Sequence, residues 1–297
     1  MEQLDKYHQA VKDSAVVEDD AAVKAAVDKI LSEHLQENMN KEVYKSVFNS
    51  IDLTTLNATD SPQSVARFTE RVNAFDNEYP QLPNVAAICV YPNFVPVVRT
   101  VLDVTDVEIA AVSGGFPSSQ TFPEVKIAET ALAIEGGADE IDIVLNVGNF
   151  LDGDYDEVCD EIAELKHSCR GGKLKVIIES GALKTAAAIK AASVLSLYSG
   201  TDFLKTSTGK EYPGASLEAA YVMAHCIKEY FEKTGNRVGF KAAGGVRTTE
   251  DAVKYYTIIK EVLGEEWLGN EYFRIGASSL ANAVLADIVD QPGIKFF

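Results

Sequence analysis

A (β/α)8 TIM barrel behind an N-terminal helical extension is the fold class that these 297 residues predict, and three observations predict it. Eight short apolar runs alternate with longer amphipathic stretches. Each run and its stretch together span about 30 residues, the length of a βαβ repeat. Eight such units fit into about 250 residues, the size of this barrel. The predicted boundaries are 1–48 for the extension and 49–297 for the barrel. An open doubly wound sheet is the competing architecture, but it needs a GxGxxG turn after its first strand. Here Asn57-Ala58-Thr59-Asp60 stands in that place.

The extension is polar and acidic. Val23, Val27, Ile30, Leu31 and Leu35 recur at helical spacing and predict one amphipathic helix. At under fifty residues it cannot bury a core of its own, so it is read as an extension and not as a domain. It covers the barrel bottom or alters subunit contacts. The strands follow as SIDLTTLN (50–57), NVAAICVYP (84–92), VEIAAVSGGFP (107–117), DEIDIVLNVG (139–148), LKVIIESG (174–181), TDFLKTSTG (201–209), RVGFKAAGGV (237–246) and YFRIGASS (272–279). Thr59 or Ser61 caps a helix beginning near Pro62. PEVKIAETALAIEGG (123–137) and PGASLEAAYVMAHCIKEYFEKTG (213–235) open with Pro and close with Gly, as helices do.

Composition narrows the function. The formal net charge is -18, which repels nucleic acid and anionic membrane at long range. Any phosphate bound here needs a local nest of donors. No apolar run approaches the ~18 residues of a membrane span, and MEQLDKYHQAVKDS has no apolar core of a signal peptide. The four cysteines form no CxxC pair, and the four histidines do not flank them at zinc spacing. Reduced thiols in the cytoplasm are the expectation. Barrels of this size often self-associate, so a homodimer is allowed.

In this fold reactive groups gather at the C-terminal ends of the strands. Those ends are polar here: Asp52 and Thr54, Cys89, Asp142 and Asn146, Glu179, Lys205 with Ser207, Thr208 and Lys210, Lys241, and Ser278 with Ser279. In DEIDIVL, Ile141, Ile143 and Leu145 share one face, leaving Asp142 on the other. The apolar face packs on helices, so Asp142 points inward. Lys241 reads as inward by the same parity, while Phe203 and Leu204 flank Lys205 on both parities. Buried charges need partners or altered pKa values, and one ion pair would explain any single residue. Two lysines on the adjacent strands six and seven, with an aspartate in the same barrel mouth, point to amine catalysis. An unperturbed lysine is neutral in only about one molecule in 2,500 at pH 7. Desolvation and a second ammonium lower that pKa, and a carboxylate can relay protons. Spacing alone does not say which lysine is the nucleophile.

Two Gly/Ser turns follow the last two strands, Ala243-Gly244-Gly245-Val246-Arg247-Thr248 and Gly276-Ala277-Ser278-Ser279. Each is explained by N-cap chemistry alone; both together, in the loops after strands seven and eight, favour a phosphate. Thr208-Gly209-Lys210 is not a P-loop, because Leu204 and Glu211 stand where that pattern needs Gly and Ser or Thr.

The blocks IDLTTLN (51–57), AAICVYP (86–92), GADEIDIV (137–144), DFLKTSTGK (202–210), VGFKAAGGVRT (238–248) and FRIGASSL (273–280) resemble deoxyribose-phosphate aldolase, in order, from about residue 50 to about residue 287. The resemblance implies a class I aldolase with no metal and no cofactor. Its substrates would be a small phosphorylated sugar and acetaldehyde: 2-deoxy-D-ribose 5-phosphate cleaved reversibly to D-glyceraldehyde 3-phosphate and acetaldehyde. It implies Lys205 as the Schiff-base lysine, Lys241 as the cation that lowers its pKa and Asp142 as the proton relay. Asp52, Thr54, Cys89, Thr208 and Lys210 would line the substrate. Gly244, Gly245, Arg247, Gly276, Ser278 and Ser279, with Lys210, would surround the phosphate. Another phosphorylated sugar, or a silent sugar-phosphate binder, are the alternatives; a metal-dependent aldolase is disfavoured because no histidine cluster sits at a strand end. Some members end in a tyrosine that assists proton transfer. This chain ends in Phe296-Phe297, which cannot carry a proton.

Overall fold

The computed structural model describes residues 6–297. Three helices precede the first strand: α1 (Lys6–Asp13), α2 (Asp20–Asn38) and α3 (Lys41–Asn49). The single helix expected here is α2, with Val23 and Val27 buried; the other two were not anticipated. Asp19 starts α2 by accepting from the Ala22 N–H at 2.7 Å. Asn40 starts α3 by accepting from Glu42 and Val43, both at 3.1 Å. Val43, Val47 and Phe48 are the buried face of α3.

The barrel then runs β1 (Ile51–Thr54), α4 (Pro62–Glu78), β2 (Ala87–Val90), a 3-10 turn (Pro92–Phe94), α5 (Val95–Val101), β3 (Glu108–Ser113), α6 (Pro123–Glu135), β4 (Glu140–Val144), α7 (Val147–Asp152), α8 (Tyr155–Ser168) and β5 (Lys173–Ile177). It continues with α9 (Ser180–Leu183), α10 (Ala186–Tyr198), β6 (Phe203–Lys205), α11 (Leu217–Thr234), β7 (Gly239–Ala243), α12 (Thr249–Leu263), a second 3-10 turn (Glu265–Trp267), β8 (Phe273–Ala277) and α13 (Leu280–Val289). Neighbouring strands pair in parallel in chain order, and β8 returns to β1, closing the barrel. Ser61, not Thr59, caps α4, and its capping box closes on Ser64. The helix expected to open at Pro213 begins instead at Leu217, because Ser216 supplies the cap to Ala219 N–H at 3.1 Å.

Outward strand residues such as Leu53, Ile88, Ile143, Val176, Leu204, Phe240 and Ile275 merge with the helices into one apolar core. Inside the barrel, Leu56, Ala87, Cys89, Ala110 and Val112 make a small apolar patch on the β1–β3 side. Branched aliphatics usually fill such a barrel; several of the remaining inward positions here carry charge.

The extension lies against the helical layer, and α3 also reaches the strands' N-terminal ends, where Asn49 donates to the Asn84 carbonyl at 2.8 Å and Ser46 to the Leu268 carbonyl at 3.3 Å. α1 packs on α8 and α10, α2 on α11 and α12, and α3 on α12 and α13. Its connecting segment satisfies buried polar groups of the barrel. The Lys190 ammonium on α10 donates to the Ser14 carbonyl at 2.9 Å and pairs with Glu18. Ser14 donates to Glu229 at 2.6 Å, and Asp20 accepts the first amide of α10, from Ala186, at 2.7 Å. At the other end of the chain, Phe297 stacks on Phe75 with centroids 5.6 Å apart, and Phe296 meets the same ring edge-on. Asn282 accepts from the Phe296 and Phe297 amides at 2.8 and 2.9 Å, and Arg71 donates to the Phe296 carbonyl at 3.0 Å. The tail is thus held by α3, α4 and α13.

Candidate active site

Strand register settles the parity of Lys205. Lys205 is level with Lys241, and Lys241 with Arg274, so the three side chains share the inward face. Phe203 shares that face one step lower, where the Arg274 guanidinium lies 5.8 Å from its ring centre. The ring occupies the space beside Gly239, where an added Cβ would come within 2.3 Å of a ring carbon. Leu204 therefore points outward into the apolar core.

Above Phe203 lies a layer of buried charge. Lys205 Nζ donates to Asp142 Oδ2 at 2.7 Å, and Lys241 Nζ donates to the same oxygen at 2.8 Å. Lys241 also pairs with Asp52. Lys175 reaches Asp142 Oδ1 at 2.9 Å, Glu140 at 2.6 Å and Asp52 at 3.4 Å. Arg274 Nη1 donates to Asp52 Oδ1 at 2.7 Å, and Arg274 Nη2 to Glu140 Oε1 at 2.9 Å. Four cations therefore face three carboxylates, all of them nearly or wholly buried. A dry network with one surplus positive charge is unfavourable. Releasing one proton from a lysine brings the charges level.

Of the three lysines, Lys205 is the one whose pKa lies below its ordinary value. Burial is the largest cause lowering its pKa; Asp142 opposes, and the Lys241 ammonium adds to the lowering. Desolvation thus outranks the neighbouring cation, a different emphasis from the sequence reading. Burial also pushes Lys241 down, but Asp142 and Asp52 outweigh it and its pKa is raised. Lys175 and Arg274 are likewise raised by their carboxylates against burial. Burial raises Asp142 and Asp52, yet the surrounding cations override it and hold both below the ordinary range.

Lys205 opens onto a cavity of about 280 Å³. Its wall contains Thr54, Thr208, Lys210, Gly244, Gly245, Arg247, Gly276, Ser278 and Ser279, together with Leu56 and Asn57. Thr206 joins β6 to β7: its hydroxyl accepts from the Ala243 amide at 3.0 Å. Gly244 has φ 83° and lies against Gly214, whose added Cβ would sit 2.1 Å from the Gly244 carbonyl. Neither position accommodates a side chain, so this wall of the cavity is bare backbone. The two helix starts beside it differ. Thr248 caps α12 by accepting from Asp251 at 3.1 Å, and Glu250 and Asp251 stand in its first turn. Ser279 begins α13 with its hydroxyl uncommitted to the helix, and α13 has no acid in its first turn. An anion is therefore better placed at α13 than at α12, a narrower placement than the sequence suggested.

Two residues expected to line the substrate are elsewhere. Asp52 lies beneath the cavity floor, bound to Lys241 and Arg274. Cys89 belongs to the buried apolar patch of β1–β3, and burial pushes its thiol up. Asp142 and Lys241 also lie below the wall, with Asp142 accepting from both Lys205 and Lys241. Sequence reasoning missed Lys175, Glu140 and Arg274. The parity argument used for Asp142 would have found them, since Glu140 shares its face and Arg274 alternates with Phe273 and Ile275. Among the described residues, the group of histidine and carboxylates near enough to hold a metal is His34, Glu37 and Glu261, on α2 and α12, outside the barrel. Among the described residues, no helix is long and apolar enough to cross a membrane.

Comparison with known proteins agrees with this geometry. The model of the DeoC/LacD family of aldolases matches residues 47–284. The deoxyribose-phosphate aldolase of Homo sapiens is 38% identical over 244 residues, covering 79% of this chain and 77% of the human protein. That of Bos taurus is 39% identical over 251 residues, covering 81% and 78%. A deoxyribose phosphate aldolase from Aeropyrum pernix, described as a tetramer, superimposes with a TM-score of 0.66 at 23% identity, over 85% of this chain and 96% of that one; at that identity it speaks for the barrel fold alone. With the family model spanning all eight strands and two relatives 38% and 39% identical, the chain belongs to the DeoC/LacD family of aldolases.

Proposed function

We propose that this enzyme reversibly cleaves 2-deoxy-D-ribose 5-phosphate to D-glyceraldehyde 3-phosphate and acetaldehyde through a Schiff base on Lys205. The supporting observation is the charge inventory beneath the cavity. Lys175, Lys241 and Arg274 are matched by Asp52, Glu140 and Asp142, and Lys205 is the amine left over, facing open space. In this reading the neutral Lys205 amine attacks C1 of the open-chain sugar. Asp142, in contact with both lysines, passes protons by way of the water released when the carbinolamine collapses to the imine. The protonated imine takes up the electron pair as the C2–C3 bond breaks, and the C3 hydroxyl proton leaves to the base. Glyceraldehyde 3-phosphate departs, C2 of the enamine is protonated, and hydrolysis frees acetaldehyde and Lys205. The phosphate would rest on the bare Gly244-Gly245 backbone and on Ser278 and Ser279 at the start of α13, with Lys210 and Arg247 at its rim.

Incubation with acetaldehyde and borohydride tests this reading. An ethyl group is expected on the peptide carrying Lys205, and none in Lys205→Ala. Undiminished labelling or aldol cleavage in Lys205→Ala would overturn the assignment. A panel of phosphorylated sugars separates deoxyribose phosphate from other substrates of the same chemistry. We place the enzyme in the cytoplasm, as its four unpaired buried cysteines suit, and as a homodimer, which sedimentation velocity tests.

A further inference from the structure

Glu179 sits at the end of β5 with φ 51° and ψ 57°, a left-handed backbone that glycine adopts without strain and glutamate does not. The turn is fastened on both sides. The Ile178 amide donates to the Lys205 carbonyl at 3.0 Å, and the Ser180 amide to the Thr206 carbonyl at 2.8 Å. Glu179 is 3% exposed, and its carboxylate has two donors, both from one residue. The Thr208 N–H reaches one oxygen at 3.1 Å and the Thr208 O–H reaches the other at 2.6 Å.

The consequence concerns the direction of one proton. A hydroxyl has one hydrogen to donate and two lone pairs to accept with. An ionised carboxylate only accepts, so the Thr208 hydrogen points at Glu179. The Lys210 amide donates to Thr208 Oγ1 at 3.2 Å, which occupies one lone pair. The second lone pair remains, on a residue that shares the cavity wall with Lys205. Burial pushes the Glu179 carboxyl up, while the two Thr208 donors favour its ionised form.

We propose that Glu179 is a positioning residue that fixes Thr208 as a hydrogen-bond acceptor toward the cavity, and that this selects acceptor aldehydes carrying a hydroxyl beside the carbonyl. The inference rests on the aldolase reading above and deepens it. Thr208 touches the substrate; Glu179 acts through Thr208.

The test runs the reaction toward synthesis, with acetaldehyde as donor and two phosphorylated acceptors. One is D-glyceraldehyde 3-phosphate; the other is 3-phosphooxypropanal, which lacks the hydroxyl. The ratio of their kcat/KM values is compared between the wild type and Glu179→Gln. A glutamine offers one acceptor where two donors arrive, and its amide can turn the Thr208 hydrogen toward the cavity. The ratio is expected to fall about tenfold in Glu179→Gln, the size of one hydrogen bond to a polarised partner, with the acetaldehyde adduct on Lys205 still formed. A purely structural role would slow both acceptors alike and leave the ratio at its wild-type value, which would overturn the proposal. Thr208→Val is expected to lower the same ratio and Thr208→Ser to retain it. A retained preference in Thr208→Val would overturn the proposal even if Glu179→Gln did not fold. Failure of the wild type to form the acetaldehyde adduct would instead remove the aldolase reading, and this inference with it.

Discussion

Replacing Lys241 by methionine keeps most of the side-chain volume and removes one charge from the buried layer. The Lys205 and Lys241 ammonium nitrogens share Asp142 Oδ2 at 2.7 and 2.8 Å, so they lie at most about 5.5 Å apart. Two unit charges at that separation repel by ~3 kcal/mol at an effective dielectric of about 20, or roughly two pKa units. In the variant, Lys175 and Arg274 face Asp52, Glu140 and Asp142, and the network is level only when Lys205 is protonated. The Lys205 pKa should therefore rise by about two units, and below that pKa the neutral amine falls about a hundredfold. Asp52 keeps Arg274 at 2.7 Å and Lys175 at 3.4 Å, so the variant folds with reduced stability. The assay is the rate of acetaldehyde adduct formation on Lys205, trapped by borohydride and read by mass spectrometry, from about pH 6 to about pH 10. The midpoint of the basic limb should move up. A midpoint that stays where it was, in a folded variant, refutes the claim that Lys241 depresses Lys205.

Asp52 and Asp142 both have folded pKa values below their ordinary 3.8; the stability they contribute is therefore complete above that pH and lost as the pH falls below it. Asp52→Asn should lower stability at neutral pH by about 3–5 kcal/mol, and the deficit against wild type should shrink below about pH 3.8; denaturant midpoints against pH check this, and a constant deficit contradicts it. Gly239→Ala drives a methyl group into the Phe203 ring and should cost about 1–3 kcal/mol, relieved in part by Phe203→Leu. Deleting Phe296 and Phe297 removes the contacts with Phe75 and should cost about 2 kcal/mol. The adduct-formation profile of that truncated chain should match the full chain, because the tail contributes no residue to the cavity wall; loss of turnover would show that the tail has a second position.

The strand runs were legible because outward positions must be apolar to pack on helices, and this held even where inward neighbours were charged. The site was legible where one polar residue broke an apolar alternation, as Asp142 does between Ile141 and Ile143. It was less so in LKVII, where Lys175 stands near the head of a run that looks wholly buried, and in YFRIG, where one arginine between Phe273 and Ile275 looks like an edge. Lys205 could not be oriented locally, since Phe203 fills the barrel from the same face and only the pairing with Gly239 and Lys241 reveals it. The extra helices α1 and α3 are too short for periodicity to mark them, though Asn40 was a readable start signal. The position of Asp52 depended on depth along the strand, two residues below Thr54, which a residue's place in a motif does not convey.

The seam between the extension and α10 has a consequence for anyone who would trim this chain to its barrel. Lys190 is 3% exposed, and the groups holding its ammonium, the Ser14 carbonyl and Glu18, come from the segment that trimming discards. The shortened protein would leave Lys190 without its counter-ion and would bare the leading amide of α10. Residues 14–20 are joinery of the barrel wall, and a minimal aldolase is better cut upstream of them.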